Sequence, residues 1–235
     1  MLKNTSNPVI LGLFLGIIGG AAAILLAKMA DVTREPIKKN QQKIITGALE
    51  SVLPRFDNTP GDNTLEVKAF DAPNINVKFF GATENGKLIG VAGQTISLKG
   101  YSGEIQVMVG LDLDGKVRTV LVTKQNETPG LGTVVCERKQ EVTIFELFSS
   151  KKDNAPKLPP NRILDAFAGH SASPKDSWPQ PWKVEKDGGK AEFMTGATIT
   201  SRAVTDAVYR VAKTYMQNKS QIVAALSKNK AEKAK

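Results

Sequence analysis

The stretch from Ile105 to Thr123 reads IQVMVGLDLDGKVRTVLVT. Val107, Val109 and Leu111 alternate before the turn, and Val120 and Val122 alternate after it. Alternation sends successive side chains to opposite faces of a strand, so one face can be buried. Asp114-Gly115, between the two runs, is a hairpin signal. The spacing predicts antiparallel strands over 105–113 and 116–123. The same grammar recurs upstream, where Asn74 to Gly81 and Lys87 to Ile96 flank Glu84-Asn85-Gly86. Together the hairpins predict an antiparallel, half-buried sheet.

Helical spacing brackets these strands. Ile45, Ala48, Leu49 and Val52 fall at i, i+3, i+4 and i+7, with Pro36 read as the helix start and Pro54 as its end. From Thr200 onward Val204, Val208, Val211 and Tyr215 form one stripe, supported by Ala207 and Ala212, with Thr200 or Ser201 suited to the N-cap. Glu137 to Phe148 reads as a further helix. Lys151 to Trp182, rich in Pro, Lys, Asp and Ser, reads as an irregular excursion with a short helix around Arg162 to Phe167. Beyond Lys219 the helix can continue, but the stretch is too polar for the pattern to fix where it ends. The expected fold class is α+β: an antiparallel sheet packed with helices on one face, preceded by one N-terminal transmembrane helix.

That first helix is VILGLFLGIIGGAAAILLA, Val9 to Ala27, without a charge. At about 1.5 Å per residue it reaches roughly 28 Å, close to the hydrocarbon thickness of a bilayer. A cleaved signal peptide is the rival reading, but its apolar region usually spans about 7–15 residues. Gly12, Gly16, Gly19 and Gly20 would let a partner helix approach closely. The organisation expected is a short arm (1–8), a transmembrane helix (9–30), a helical stalk and linker (31–63), a folded domain (64–218) and a basic tail (219–235).

The chain has 235 residues and a net charge of +9. Much of the excess follows the apolar run or lies between Lys213 and Lys235, and basic residues beside a membrane segment contact anionic lipid. No arginine-rich helix or zinc spacing accompanies it, so nucleic acid is not an expected partner. Cys136 and His170 are each the sole residue of their type, which argues against a disulfide and a multi-histidine metal site. Lys28, Arg34, Lys38, Lys39 and Lys43 follow the apolar run and only Lys3 precedes it, so the positive-inside rule leans toward a cytoplasmic domain.

Candidate binding chemistry is concentrated in glycine-rich turns. Met194 to Val204, MTGATITSRAV, puts Gly196, Ala197 and several hydroxyls at a helix start. Unpaired N–H groups and the positive helix end welcome an anion there, and Arg202 lies within reach of one. An ordinary hydroxyl cap explains the same residues. Glu127-Thr128-Pro129-Gly130-Leu131-Gly132 makes a shaped loop after a strand, Gly100-Tyr101-Ser102-Gly103 a small turn with an aromatic wall, and Lys186-Asp187-Gly188-Gly189 another turn. Plain connections explain each of them taken alone.

Taken in order, GYSGEIQVMVGLDLDG, VTKQNETPGLG, VEKDGG and FMTGATITSRAV resemble the FMN-binding domain of RnfG, the G subunit of the Rnf electron-transport complex. The related NqrC subunit of the sodium-translocating NADH:quinone reductase shares the layout, and the resemblance covers most of the chain. It implies FMN joined through its phosphate to Thr198, with Thr200 as the alternative, and a flavin transferase that makes the bond. It also implies contacts from Thr195, Gly196, Ala197, Glu127, Thr128, Gly130, Leu131, Gly132, Tyr101, Ser102, Lys186 and Arg202. Glu192 stands where the family commonly has Asp. No catalytic acid or base and no metal are implied. The implied role is electron relay among other membrane subunits of an Rnf-type complex, with the flavin domain on the outer face of the inner membrane, against the charge count. An NqrC-type role and a cofactor-free anchored binding domain are the alternatives.

Overall fold

The computed structural model describes residues 8–138 and 158–228. The chain divides into two units, Met1–Ile44 and Ile45–Lys235. In the first, the described residues are helix: α1 spans Pro8–Val52 and has Pro36 inside it. Pro36 therefore does not start a helix. It removes one backbone donor, but the helix-forming sequence on either side carries the turn through. Among the described residues α1 is the one helix long and apolar enough to cross a membrane.

The second unit is built on five strands: β1 (Thr64–Lys68), β2 (Asn76–Glu84), β3 (Lys87–Gly100), β4 (Gly103–Leu111) and β5 (Val117–Lys124). They pair in chain order, every pair antiparallel. Asn85 and Gly86 both take positive φ, 51° and 80°, the geometry that makes Asn-Gly a two-residue hairpin turn. Edge strand β1 escapes the sequence reading because it is short and alternates only through Leu65 and Val67.

Both sheet faces are covered, which corrects the expectation of helices on one face. The row Phe79–Gly93–Val109–Val120 lies against helix α4 (Thr198–Lys228). The stripe Val204, Val208, Val211 and Tyr215 is buried there. The opposite face, with Phe80, Ala82, Ala92 and Met108, packs on Ala48, Leu49, Val52 and Leu53 from the end of α1 and the residue after it. Glycines set these approaches. A Cβ on Gly93 would overlap Val211, and one on Gly110 would overlap the Val52 carbonyl.

α4 continues into the expected basic tail, as far as Lys228 among the described residues. Ile222 and Leu226 are buried, and the Leu226 carbonyl accepts from Asn63 Nδ2 at 2.9 Å, so the helix stays docked to Lys228 beyond a local kink at Asn218. Arg210 is a buried tie: its guanidinium donates to both Asp71 oxygens (2.7 and 2.9 Å) and to the Ile96 carbonyl (2.8 Å).

After β5 come two short helices, α2 (Gly132–Cys136) and α3 (Arg162–Asp165). The helix expected over 137–148 lies outside the described residues from 139 onward, and Glu137 and Arg138 are not helical. α3 matches the short helix expected there. Asn161 caps it, accepting from Ile163 and Leu164 N–H, and also donates to the Val134 and Glu137 carbonyls (3.0 and 2.9 Å). Behind it Phe167, Trp178, Trp182 and Tyr209 pack as an aromatic cluster.

Candidate functional site

The turn into α4 is tight. Ala197 N–H donates to the Met194 carbonyl at 3.0 Å, and Gly196 takes φ +89°, a conformation that favours glycine. The helix then begins at Thr198, two residues before the expected start. Thr200 and Ser201 are consequently first-turn residues and not N-caps. Ser201 Oγ donates to the Ala197 carbonyl (3.0 Å) and accepts from Met194 N–H (3.2 Å), which sews the turn to the helix. Thr200 is 1% exposed, and its hydroxyl donates to Glu127 Oε2 at 2.6 Å.

Glu127 is the node of the site. It is 5% exposed, and its other carboxylate oxygen, Oε1, accepts from Ser102 N–H at 3.2 Å. Its own N–H donates to Gln125 Oε1. Gly100 and Gly132 leave room for it: a Cβ on Gly132 would stand 2.5 Å from Glu127 Oε2 and 2.9 Å from Thr200 Oγ1. One carboxylate thus ties the 101–102 turn, the loop after β5 and the first turn of α4.

Those elements enclose a cavity of about 450 Å³ lined by Tyr101, Glu127, Thr128, Leu131, Gly132, Lys186, Gly196, Ala197, Thr198, Ile199 and Thr200. The volume lies in the usual range for small-molecule sites. Tyr101, Leu131 and Ile199 are exposed apolar side chains at its border, and the first turn of α4 lines it with N–H groups that have no intrahelical acceptor. Thr198 is half-buried there. Among the described residues nothing hydrogen-bonds its hydroxyl.

Thr198 and eight of the contact residues expected from the sequence meet in this cavity. Ser102 and Gly130 support it from behind. Ser102 N–H holds Glu127, and Gly130, at φ +76°, donates to Thr133 Oγ1 at 2.9 Å to shape the loop. Thr195 lines a neighbouring depression with Asn161, Arg162 and Phe193. Arg202 lies in another cavity and makes a two-pronged pair with Asp187, both contacts 2.6 Å. That pair depresses the Asp187 carboxyl and raises the guanidinium, each chiefly through the shared hydrogen bond. Glu192 is ion-paired to Arg162 at 2.6 Å. The sequence reading missed Ile199, and for Thr200 it saw a cap or an alternative tether where the structure has a buried tie.

Two lone residues are now placed. Burial first, then the charges of Glu127 and Glu137, push the Cys136 thiol up to about 12. His170 has partners within its own excursion: its Nδ1 pairs with Asp176 at 3.0 Å and its ring stacks on Trp178 at 4.1 Å.

The FMN-binding domain family matches residues 100–213, a span that contains every wall of the cavity. The G subunit of the ion-translocating oxidoreductase complex of Vibrio parahaemolyticus is 32% identical over 219 residues, 91% of this chain and 92% of that protein. The chain belongs to the G-subunit family of ion-translocating oxidoreductase complexes. Its Cereibacter sphaeroides relative of that name is 30% identical over 94% of this chain and 90% of its own. The Shewanella piezotolerans one is 29% identical over 96% and 94%. These matches extend well outside the FMN-binding domain, to nearly the whole chain, as the ordered motifs led one to expect.

The residues present fit an FMN. A glycine-turned helix start offers donors to a phosphate, Gly132 makes room for the Glu127 carboxylate in the cavity wall, and apolar residues border a cleft suited to a flat ring.

Proposed function

We propose that this chain is a membrane-anchored, electron-transferring flavoprotein subunit of an Rnf-type ion-translocating oxidoreductase complex. FMN occupies the cavity at the start of α4, tethered by its phosphate to Thr198 Oγ1. The observation that carries this reading is the contrast between two hydroxyls. Thr198 lines the cavity and its hydroxyl has no hydrogen-bond partner among the described residues, whereas Thr200 buries its own against Glu127. Thr198 is therefore available as a nucleophile, and Thr200 is engaged.

Attachment balances as a transfer. The Thr198 oxygen forms a bond to the flavin phosphorus, the phosphorus–oxygen bond to the leaving group of an activated flavin nucleotide breaks, and the hydroxyl proton leaves. A flavin transferase is the partner for that step. The product phosphodiester keeps one negative charge, which the α4 N–H groups and dipole accommodate. Bound FMN supplies one-electron chemistry; the chain supplies position and field. Tyr101, Leu131 and Ile199 border the ring site and limit water, and Lys186 offers a cation at the border.

α1 anchors the chain as a single pass, in contact with lipid and the other membrane subunits, with the flavin domain on the outer face. A reporter active only outside the cytoplasm, fused after Lys235, should be active; an expressed but silent fusion refutes that placement. For the tether, chain co-produced with a flavin transferase is denatured in acid and weighed intact. One FMN less one water should be added, and Thr198→Val should remove it while Thr200→Val keeps it. The reverse pattern moves the tether to Thr200.

A further inference from the structure

We infer that Glu127 is a positioning residue that carries a fixed negative charge at the flavin site and thereby lowers the reduction potential of the bound flavin. The inference rests on the proposed occupancy of the cavity by FMN.

Glu127 lines the cavity, yet it is almost wholly withdrawn from solvent. Both of its oxygens face donors, Ser102 N–H on one and the Thr200 hydroxyl on the other. An ionised carboxylate is acceptor-only and accepts from both at once, and hydrogen bonds to a charged acceptor are the stronger kind. The pairing suits the charged form. Lys186, the cation lining the same cavity, is exposed, so water screens it more than the carboxylate. The charge also acts locally in the other direction, since Glu127 contributes to the raised Cys136 thiol behind the loop.

An electron added to an occupant of the cavity that Glu127 lines would put negative charge within the field of this carboxylate. The electron comes from an external one-electron donor and leaves to an external acceptor; Glu127 forms and breaks no bond. Unit charges several ångströms apart repel appreciably at the intermediate dielectric of a partly buried site, and a fixed charge does not reorganise away. The carboxylate thus makes the site a poorer electron acceptor and a better donor.

Glu127→Gln separates charge from geometry. The amide oxygen can still accept from Ser102 N–H, and the amide nitrogen can donate to the Thr200 oxygen, so the tie survives without its charge. The test is a spectroelectrochemical titration of the full-length, flavin-loaded chain in detergent, with fold checked by circular dichroism. Glu127→Gln should favour the reduced form by about tenfold at a given potential, an upward shift of roughly 59 mV for a one-electron couple. Glu127→Asp, which keeps the charge, should remain nearer the parent than Gln. Glu127→Ala, which also removes the charge but places no amide against Thr200, should shift the potential upward too and serves as the test should Glu127→Gln not fold. An unchanged potential in a folded, flavin-loaded Gln or Ala variant overturns the inference while leaving the proposed function intact. Equal upward shifts in Gln and Asp overturn it too, by assigning the effect to packing. A parent chain that takes up no flavin overturns both.

Discussion

Gly132→Ala should damage the site with a single methyl group. Gly132 begins α2 and sits against the carboxylate that ties the cavity together. A Cβ there would stand 2.5 Å from Glu127 Oε2, 2.6 Å from Glu127 Cβ and 2.9 Å from Thr200 Oγ1. None of these atoms belongs to the free end of a flexible surface chain, since Glu127 and Thr200 are both buried. Overpacking of this kind costs about 1–3 kcal/mol. Relief requires Glu127 to swing away from Thr200, and a buried hydrogen bond to a charged group is worth roughly 1.5–3 kcal/mol. The two overlap, so the expected loss is about 2–4 kcal/mol, or roughly 5–15 °C in melting temperature for a domain of this size. The assay is thermal denaturation of the flavin-free chain followed by near-ultraviolet circular dichroism, with flavin loading measured in parallel. Gly61→Ala is the control, because a Cβ there meets nothing and its φ is not positive. Should Gly132→Ala melt with Gly61→Ala and load flavin fully, the crowded-node account is wrong.

Asn161→Ala removes the α3 cap and strips the Val134 and Glu137 carbonyls of a donor, so it should cost about 2–4 kcal/mol in chemical denaturation; a change within about 0.5 kcal/mol refutes the tie. Acid stability should depend on Asp71. Burial by itself raises that carboxyl, but the Arg210 hydrogen bond and charge, backbone donation and Lys99 outweigh it, and the net shift is downward. A folded-state value below the unfolded one contributes stability that is complete above the ordinary aspartate range and lost as pH falls through the folded value. Melting temperature scanned from neutral into acid should therefore fall less steeply for Asp71→Asn, which starts lower at neutral pH; parallel curves contradict this.

The sheet was legible because its signals are local. Asn85-Gly86 and Asp114-Gly115 mark their hairpins in adjacent residues, and valine alternation gives the faces. Coverage of both faces was less legible, because it depends on Gly93 and Gly110 admitting helices from distant parts of the chain. The cavity loops were visible as glycine-rich turns, but the partners inside them were not. Thr200 resembles a cap by its neighbours, yet its hydroxyl is taken by Glu127, 73 positions away. Arg202 lies one turn into the helix and looks free to meet a phosphate until Asp187, 15 positions back, is folded beside it. Pairing across the fold decides which hydroxyl or cation is free, and periodicity carries no record of it.

The most direct test of the account is the intact mass of the Thr198→Val chain beside the parent, both produced with a flavin transferase and denatured in acid. The account predicts one FMN, less one water, on the parent and none on the variant. An unmodified parent, or a variant that still carries the flavin, contradicts it.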